Sequence, residues 1–223
     1  MSTKRQHYFW GTDSPLGSLS GVCLLIIASS RLSWAITVSV GLFWVYGLTT
    51  FAFAFLCSPV MKKIFPQKGR IYIFTCLSSF FGSIYILLFW MLCPFAAFEV
   101  FLPLMLIPLL CVMSGIPEKI AFPAKPNIDL FDYVPEAVSQ AAVLAGLLIV
   151  FSIFRELLAY SSLSVPGSNL GMVTIINFKD GIIFPVGIFA PSAGALLLLG
   201  YFICLFQYYR EKLFRNTFSD DLN

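Results

Sequence analysis

Histidine occurs once in this sequence, at His7, and charged residues make up only 11% of it, against roughly a quarter in a soluble domain. Without a second histidine, neither a histidine-based metal centre nor a histidine general base is available in the apolar part of the chain. Hydrolase triads and most zinc sites are thereby excluded. The six cysteines form no Cys-x-x-Cys pair, so the local spacings of zinc ribbons and ferredoxins are absent too. No glycine-rich loop of the kind that cradles phosphate occurs, which excludes nucleotide binding by that means. Behind the basic and aromatic stretch Met1–Trp10 no small-residue cleavage site follows, and insertion through internal segments is expected instead of a cleaved signal.

What is present in quantity is apolar surface. Of 223 residues, 59% are hydrophobic, and the mean hydropathy is +0.88. Continuous apolar runs lie near 17–29, 35–58, 71–98, 100–116, 137–160 and 181–209. At about 1.5 Å per residue the longer runs cross a hydrocarbon core of roughly 30 Å. The runs do not alternate, so helices rather than a closed barrel satisfy their backbone groups in lipid. The expectation is an all-α integral membrane protein with six transmembrane helices.

Lysine and arginine set the orientation. Six crossings with both termini cytoplasmic place Lys4, Arg5, Lys62, Lys63, Lys68, Arg70, Lys119, Lys125, Arg210, Lys212 and Arg215 inside and Arg31, Arg155 and Lys179 outside, eleven against three. That asymmetry obeys the positive-inside rule. The basic clusters are accordingly read as topology signals beside a lipid bilayer and not as nucleic-acid patches.

The segments run short, long, long and then short, long, long. Gly17–Ser30 is too short to span the bilayer upright, and the fourth segment carries Pro103 and Pro108 before ending at 115–117. Two three-helix units in one chain enter the membrane from opposite sides, so the pattern predicts inverted repeats, about 15–98 and about 99–212, within a single domain over 1–223. The first and fourth helices are expected to be short or broken. Interrupted segments at matching positions of two such halves point to a site near the midplane, and here they hold Cys23 and Cys111. Ile116–Pro135, with four prolines, reads as the cytoplasmic linker, and Ser161–Asp180 as an outer loop.

From spacing alone the two cysteines are open to metal ligation, to a disulfide, or to no bond at all; a [2Fe–2S] cluster needs four ligands, so a second subunit would have to add two. Cys57, Cys76, Cys93 and Cys204 read as small packing residues. Arg155 and Glu156, near the outer end of the fifth segment, are either interfacial anchors, with the arginine snorkelling outward, or part of a coupling site. Adjacent helical positions point about 100° apart, so the two need not pair.

These residues carry a resemblance. Gly21-Val22-Cys23 followed by Ala28-Ser29-Ser30, then Arg70–Phe74, Cys111–Phe122, Phe154–Leu158 (FRELL) and Pro191–Gly200 are similar, in that order, to motifs of the membrane subunits of the Rnf and Nqr ion-translocating redox complexes, in the RnfE/NqrD branch. The resemblance runs from about residue 15 to 212. Leu24, Leu110 and Ile116-Pro117 depart from the family pattern, which marks a divergent member. The resemblance implies a subunit of a bacterial cytoplasmic membrane complex, paired with an RnfA/NqrE-like sister of opposite orientation and working with flavin-bearing subunits. Together the pair would hold a [2Fe–2S] cluster, with Cys23 and Cys111 as this chain's ligands, and carry electrons across the membrane coupled to Na+ or H+ movement. Two other readings stand beside it: a small-solute transport subunit with a midplane site, and a metal-free structural subunit.

Overall fold

A computed structural model of the chain describes residues 19–56, 67–121, 131, 133–166, 172–177 and 187–220. In chain order the elements are α1 (Leu19–Ala28), α2 (Leu32–Leu56), α3 (Gln67–Leu92), α4 (Pro94–Met113), α5 (Ile116–Ala121), α6 (Tyr133–Tyr160), strands β1 (Ser162–Pro166) and β2 (Met172–Asn177), a 3-10 turn (Gly187–Phe189) and α7 (Ser192–Asp220).

Among the described residues four helices are long and apolar enough to cross a membrane: Leu32–Leu56, Gly69–Leu92, the stretch Pro94–Ile120, and Tyr133–Tyr160. The protein is thus mostly helical and of multi-pass character. Of the six expected spans, the runs near 17–29 and 181–209 begin outside the described residues. Among the described residues α1 has ten residues, about 15 Å of helix, and the apolar part of α7 is confined to Ser192–Leu205.

The fourth segment also differs from its expectation. It begins at Pro94 and runs for 20 residues without a break. Pro94 sits in the first turn, where a missing N–H costs nothing and a fixed φ suits the helix. Cys93 joins the neighbours, its N–H donating to Phe89 O (2.9 Å) while its carbonyl accepts from Ala97 N (2.9 Å). Pro103 and Pro108 are accommodated inside α4. The Ser78 hydroxyl donates to Pro108 O (3.0 Å), and the Pro108 ring lies so close to Gly82 that a Cβ there would overlap it. The chain breaks only at Ser114 and Gly115, the latter in the left-handed region at φ 74°, a conformation that commonly ends helices.

The stretch read as a cytoplasmic linker is partly helical. Pro117 and Pro135 fall in the first turns of α5 and α6, where proline is tolerated. An ion pair of 2.7 Å between Lys119 and Glu136 joins the two helices. The outer loop is likewise not all irregular: β1 and β2 form an antiparallel hairpin with an irregularity at Leu163/Ser164. The hairpin is a small addition to a mostly helical chain. Leu163, Val165, Val173, Thr174, Ile175 and Ile176 suit a pleated strand, and Ser161, at φ 52°, turns the chain out of α6.

The core forms where α2 meets α6, the most extensive helix pair. Buried positions on both helices are often small: Ser33, Ala35, Ser39 and Gly41 on α2, the last facing Tyr85 and Ile107, and Ala137, Ala141, Ala145 and Ser152 on α6. Small residues let backbones approach, which is the main source of helix association in lipid. Buried Leu42, Val45, Leu144 and Leu148 fill the remaining volume. By contrast α3 and α4 present Phe80, Leu87, Trp90, Met91, Phe95, Phe98 and Leu102 outward, as lipid-facing helices do.

Candidate functional site

The site assembles at the corner between α1 and α2, where Ser29, Ser30 and Arg31 reverse the chain. A helix end leaves up to four carbonyls or amides without intrahelical partners, and this corner exposes one end of each kind within a few residues. Both are met by the last turns of α6. Glu156 Oε2 accepts from Leu32 N, the first amide of α2, at 2.7 Å. Arg155 reaches the other end: its Nη1 donates to Ile26 O (2.6 Å) and to Ser29 Oγ (3.0 Å). A third contact closes the corner, with the Arg31 guanidinium 5.7 Å from the centre of the Tyr160 ring, within cation–π range.

Arg155 also holds a second segment. Its Nε donates to Phe189 O (3.1 Å) and its Nη2 to Ala190 O (2.8 Å), so one guanidinium ties α1 to the turn that precedes α7. The close approach behind this turn needs Gly194, where a Cβ would overlap the Ile188 carbonyl.

Arg155 and Glu156 are each only 2% exposed. Neither reaches outward, so snorkelling does not describe the arginine. They do not share one partner but serve opposite helix ends, as their angular separation requires. All four acceptors of Arg155 are neutral: three carbonyls and a hydroxyl. Burying a cation on such partners is costly unless every donor direction is used, and the five N–H groups of a guanidinium in a planar fork suit several carbonyls at once.

The candidate ligands lie on helices that touch. α1, with Cys23, packs against α4, with Cys111, and more lightly against α6. Cys23 is partly exposed. Cys111 has no exposed surface. Both are free thiols. No group of three or more His, Cys, Asp or Glu side chains gathers among the described residues. Cys76 and Cys204 are exposed, Cys93 is partly buried, and Cys57 lies outside the described residues.

Thiolates are the ligand type that iron–sulfur clusters take, so the donor chemistry fits such a group while the number does not close within one chain. Cys23 retains surface on which a second chain can stand.

Ser29 and the Phe189 and Ala190 carbonyls are not among the residues that the sequence singles out. Ser29 sits in the Ala28-Ser29-Ser30 motif, which carries the hint. The two carbonyls belong to residues whose side chains play no part, and no sequence signal marks them. Compared with models of known protein families and with curated proteins, the chain matches none.

Proposed function

We propose that this chain is an electron-transferring membrane subunit of an ion-translocating complex of the Rnf/Nqr type, a divergent member of the RnfE/NqrD branch. Its six helical segments would be two inverted three-helix repeats, with both termini on the cytoplasmic side of a bacterial inner membrane. The observation that carries the reading is the packing of the ten-residue Cys23 helix against the Cys111 helix, with the Arg-Glu pair of the FRELL motif bound to the ends on either side of the corner. Motifs separated by more than a hundred residues in the sequence thus serve one local structure.

Cys23 and Cys111 would be two ligands of a [2Fe–2S] cluster whose other two come from an RnfA/NqrE-like sister subunit. Such a cluster supplies one-electron transfer within the membrane when bound. The chain itself contributes a low-dielectric surround and hydrogen bonds, both of which tune a redox centre. Electrons would pass on to flavin-bearing partners, with Na+ or H+ movement coupled to the change in charge.

Anaerobic purification of the complex, followed by iron analysis and EPR, tests the reading. The native complex should give a cluster signal, and Cys23→Ser or Cys111→Ser should abolish it while the subunits still copurify. A signal unchanged in both variants rejects the ligand assignment. An iron-free native complex favours the transport or scaffold readings instead.

A further inference from the structure

We infer that Arg155 is the positioning residue for Cys23: by gripping the carbonyl end of α1 and the turn before α7 together, it sets the depth and rotation of the short helix that bears the thiol. The importance of this for redox chemistry rests on the proposed function; the geometry does not.

The described part of α1 covers ten residues, and so short a stretch offers few intrahelical bonds to offset an unfavourable nucleation. What fixes α1 is therefore its surroundings. Its packing is against α4 and α6, and packing alone leaves a short rod free to slide along its axis. Directional bonds at its end remove that freedom. Leu25 O is taken by Ser29 N (3.2 Å), and Ile26 O by Arg155 Nη1 (2.6 Å), with Ser29 Oγ also turned toward it (3.4 Å). Ile26 follows Cys23 by three positions, so the two lie on one face of the helix. Any shift of the Ile26 carbonyl along or around the axis is a shift of the Cys23 side chain.

The other half of the grip supplies the reference point. Nε and Nη2 bind Phe189 O and Ala190 O, and the guanidinium is planar and rigid, so the distance between α1 and residues 189–190 is fixed by covalent geometry. A lysine in the same place is a point donor on a flexible stem and cannot hold both segments at a set spacing. Glu156 secures the start of α2 independently, so the grip on the carbonyl end of α1 falls to Arg155.

The test uses full-length chains in native membranes that retain a single cysteine, either Cys23 or, as a control on a different helix, the exposed Cys76. Modification by N-ethylmaleimide is timed with and without Arg155→Gln. The Cys23 rate should rise by much more than about tenfold, since a glutamine amide with two N–H groups replaces at most two of the four charge-assisted hydrogen bonds, while the Cys76 rate stays constant. Arg155→Lys should give an intermediate rate. Where Arg155→Gln does not accumulate, Ser29→Ala removes one acceptor and leaves the cation three; there a smaller rise, about tenfold, is expected from the loss of a single charge-assisted hydrogen bond. A Cys23 rate unmoved by these substitutions, or one that changes together with that of Cys76, overturns the inference. Iron analysis of the native complex separates the two claims. Absence of iron with a changed Cys23 rate sinks the cluster and keeps the grip. A full cluster signal with an unmoved Cys23 rate does the reverse.

Discussion

Substituting Glu156 in two steps separates the charge of this side chain from its acceptor oxygen. Glu156 is 2% exposed and takes the Leu32 amide at 2.7 Å, the length typical of a charge-assisted bond. The change Glu156→Gln keeps an acceptor of the same reach and drops the charge. Charge at a helix N-terminus is worth about 0.3–1 kcal/mol when exposed and up to about 2 kcal/mol when partly buried, so Glu156→Gln should cost on the order of 1 kcal/mol. Glu156→Leu also leaves the part-buried Leu32 N–H without an acceptor, which adds about 1–3 kcal/mol; loss of a capping side chain alone costs about 0.5–2 kcal/mol. The leucine variant is therefore expected to be about 2–4 kcal/mol less stable than the native chain. Reversible unfolding in mixed micelles of mild detergent and dodecyl sulfate, followed by far-UV ellipticity, gives the global values. The fluorescence of Trp34, in the first turn of the same helix, reports on the corner. Equal stability of the glutamine and leucine variants would refute the assignment of Glu156 as the cap of α2.

Gly194→Ala places a methyl group on the Ile188 carbonyl, and backbone cannot yield as a flexible side chain does. The cost should be at least the roughly 1–3 kcal/mol of an overpacked site, read as a lower unfolding midpoint; an unchanged midpoint would mean that the turn before α7 lies further from the helix. The Lys119–Glu136 pair, with side chains 35% and 24% exposed, should contribute only about 0.2–1 kcal/mol in a double-mutant cycle, and the coupling should fall as salt rises toward about 1 M. A coupling that salt does not weaken would mean that the pair is shielded from solvent.

The helices are legible in the sequence because apolar run length reports directly on what lipid demands of a backbone. The ends of the runs are not. Nothing apolar distinguishes Cys93 from its neighbours, so a reading by run length sets the boundary between α3 and α4 several residues late, although Pro94 marks it. Conversely Pro103 and Pro108 read as breaks, because the sequence does not show that Ser78 and Gly82 on another helix accommodate the second of them. The hairpin escapes notice since Ser, Gly and Asn in the surrounding loop outweigh the β-branched run Val173–Ile176. At the site, spacing and the apolar runs draw attention to Cys23, Cys111, Arg155 and Glu156. They cannot reveal that the two charged residues face the α1–α2 corner, since the relevant partners are main-chain atoms more than a hundred positions away, at Ile26 and Leu32, or in the turn near 189.

The separation in sequence between Arg155 and the carbonyl it binds, 129 positions for Ile26, has a consequence for how the protein is made. During synthesis α1 and α2 leave the ribosome long before the residues that fasten their corner exist. The second half of the fastening, at Phe189 and Ala190, follows 34 and 35 positions later still. Until then the ten-residue helix must wait in the membrane or at its surface without its final anchor, and a chain truncated before residue 155 would never secure it. Biogenesis of the amino-terminal part therefore completes last, and the quality of the whole insertion is registered at a short helix that emerges early.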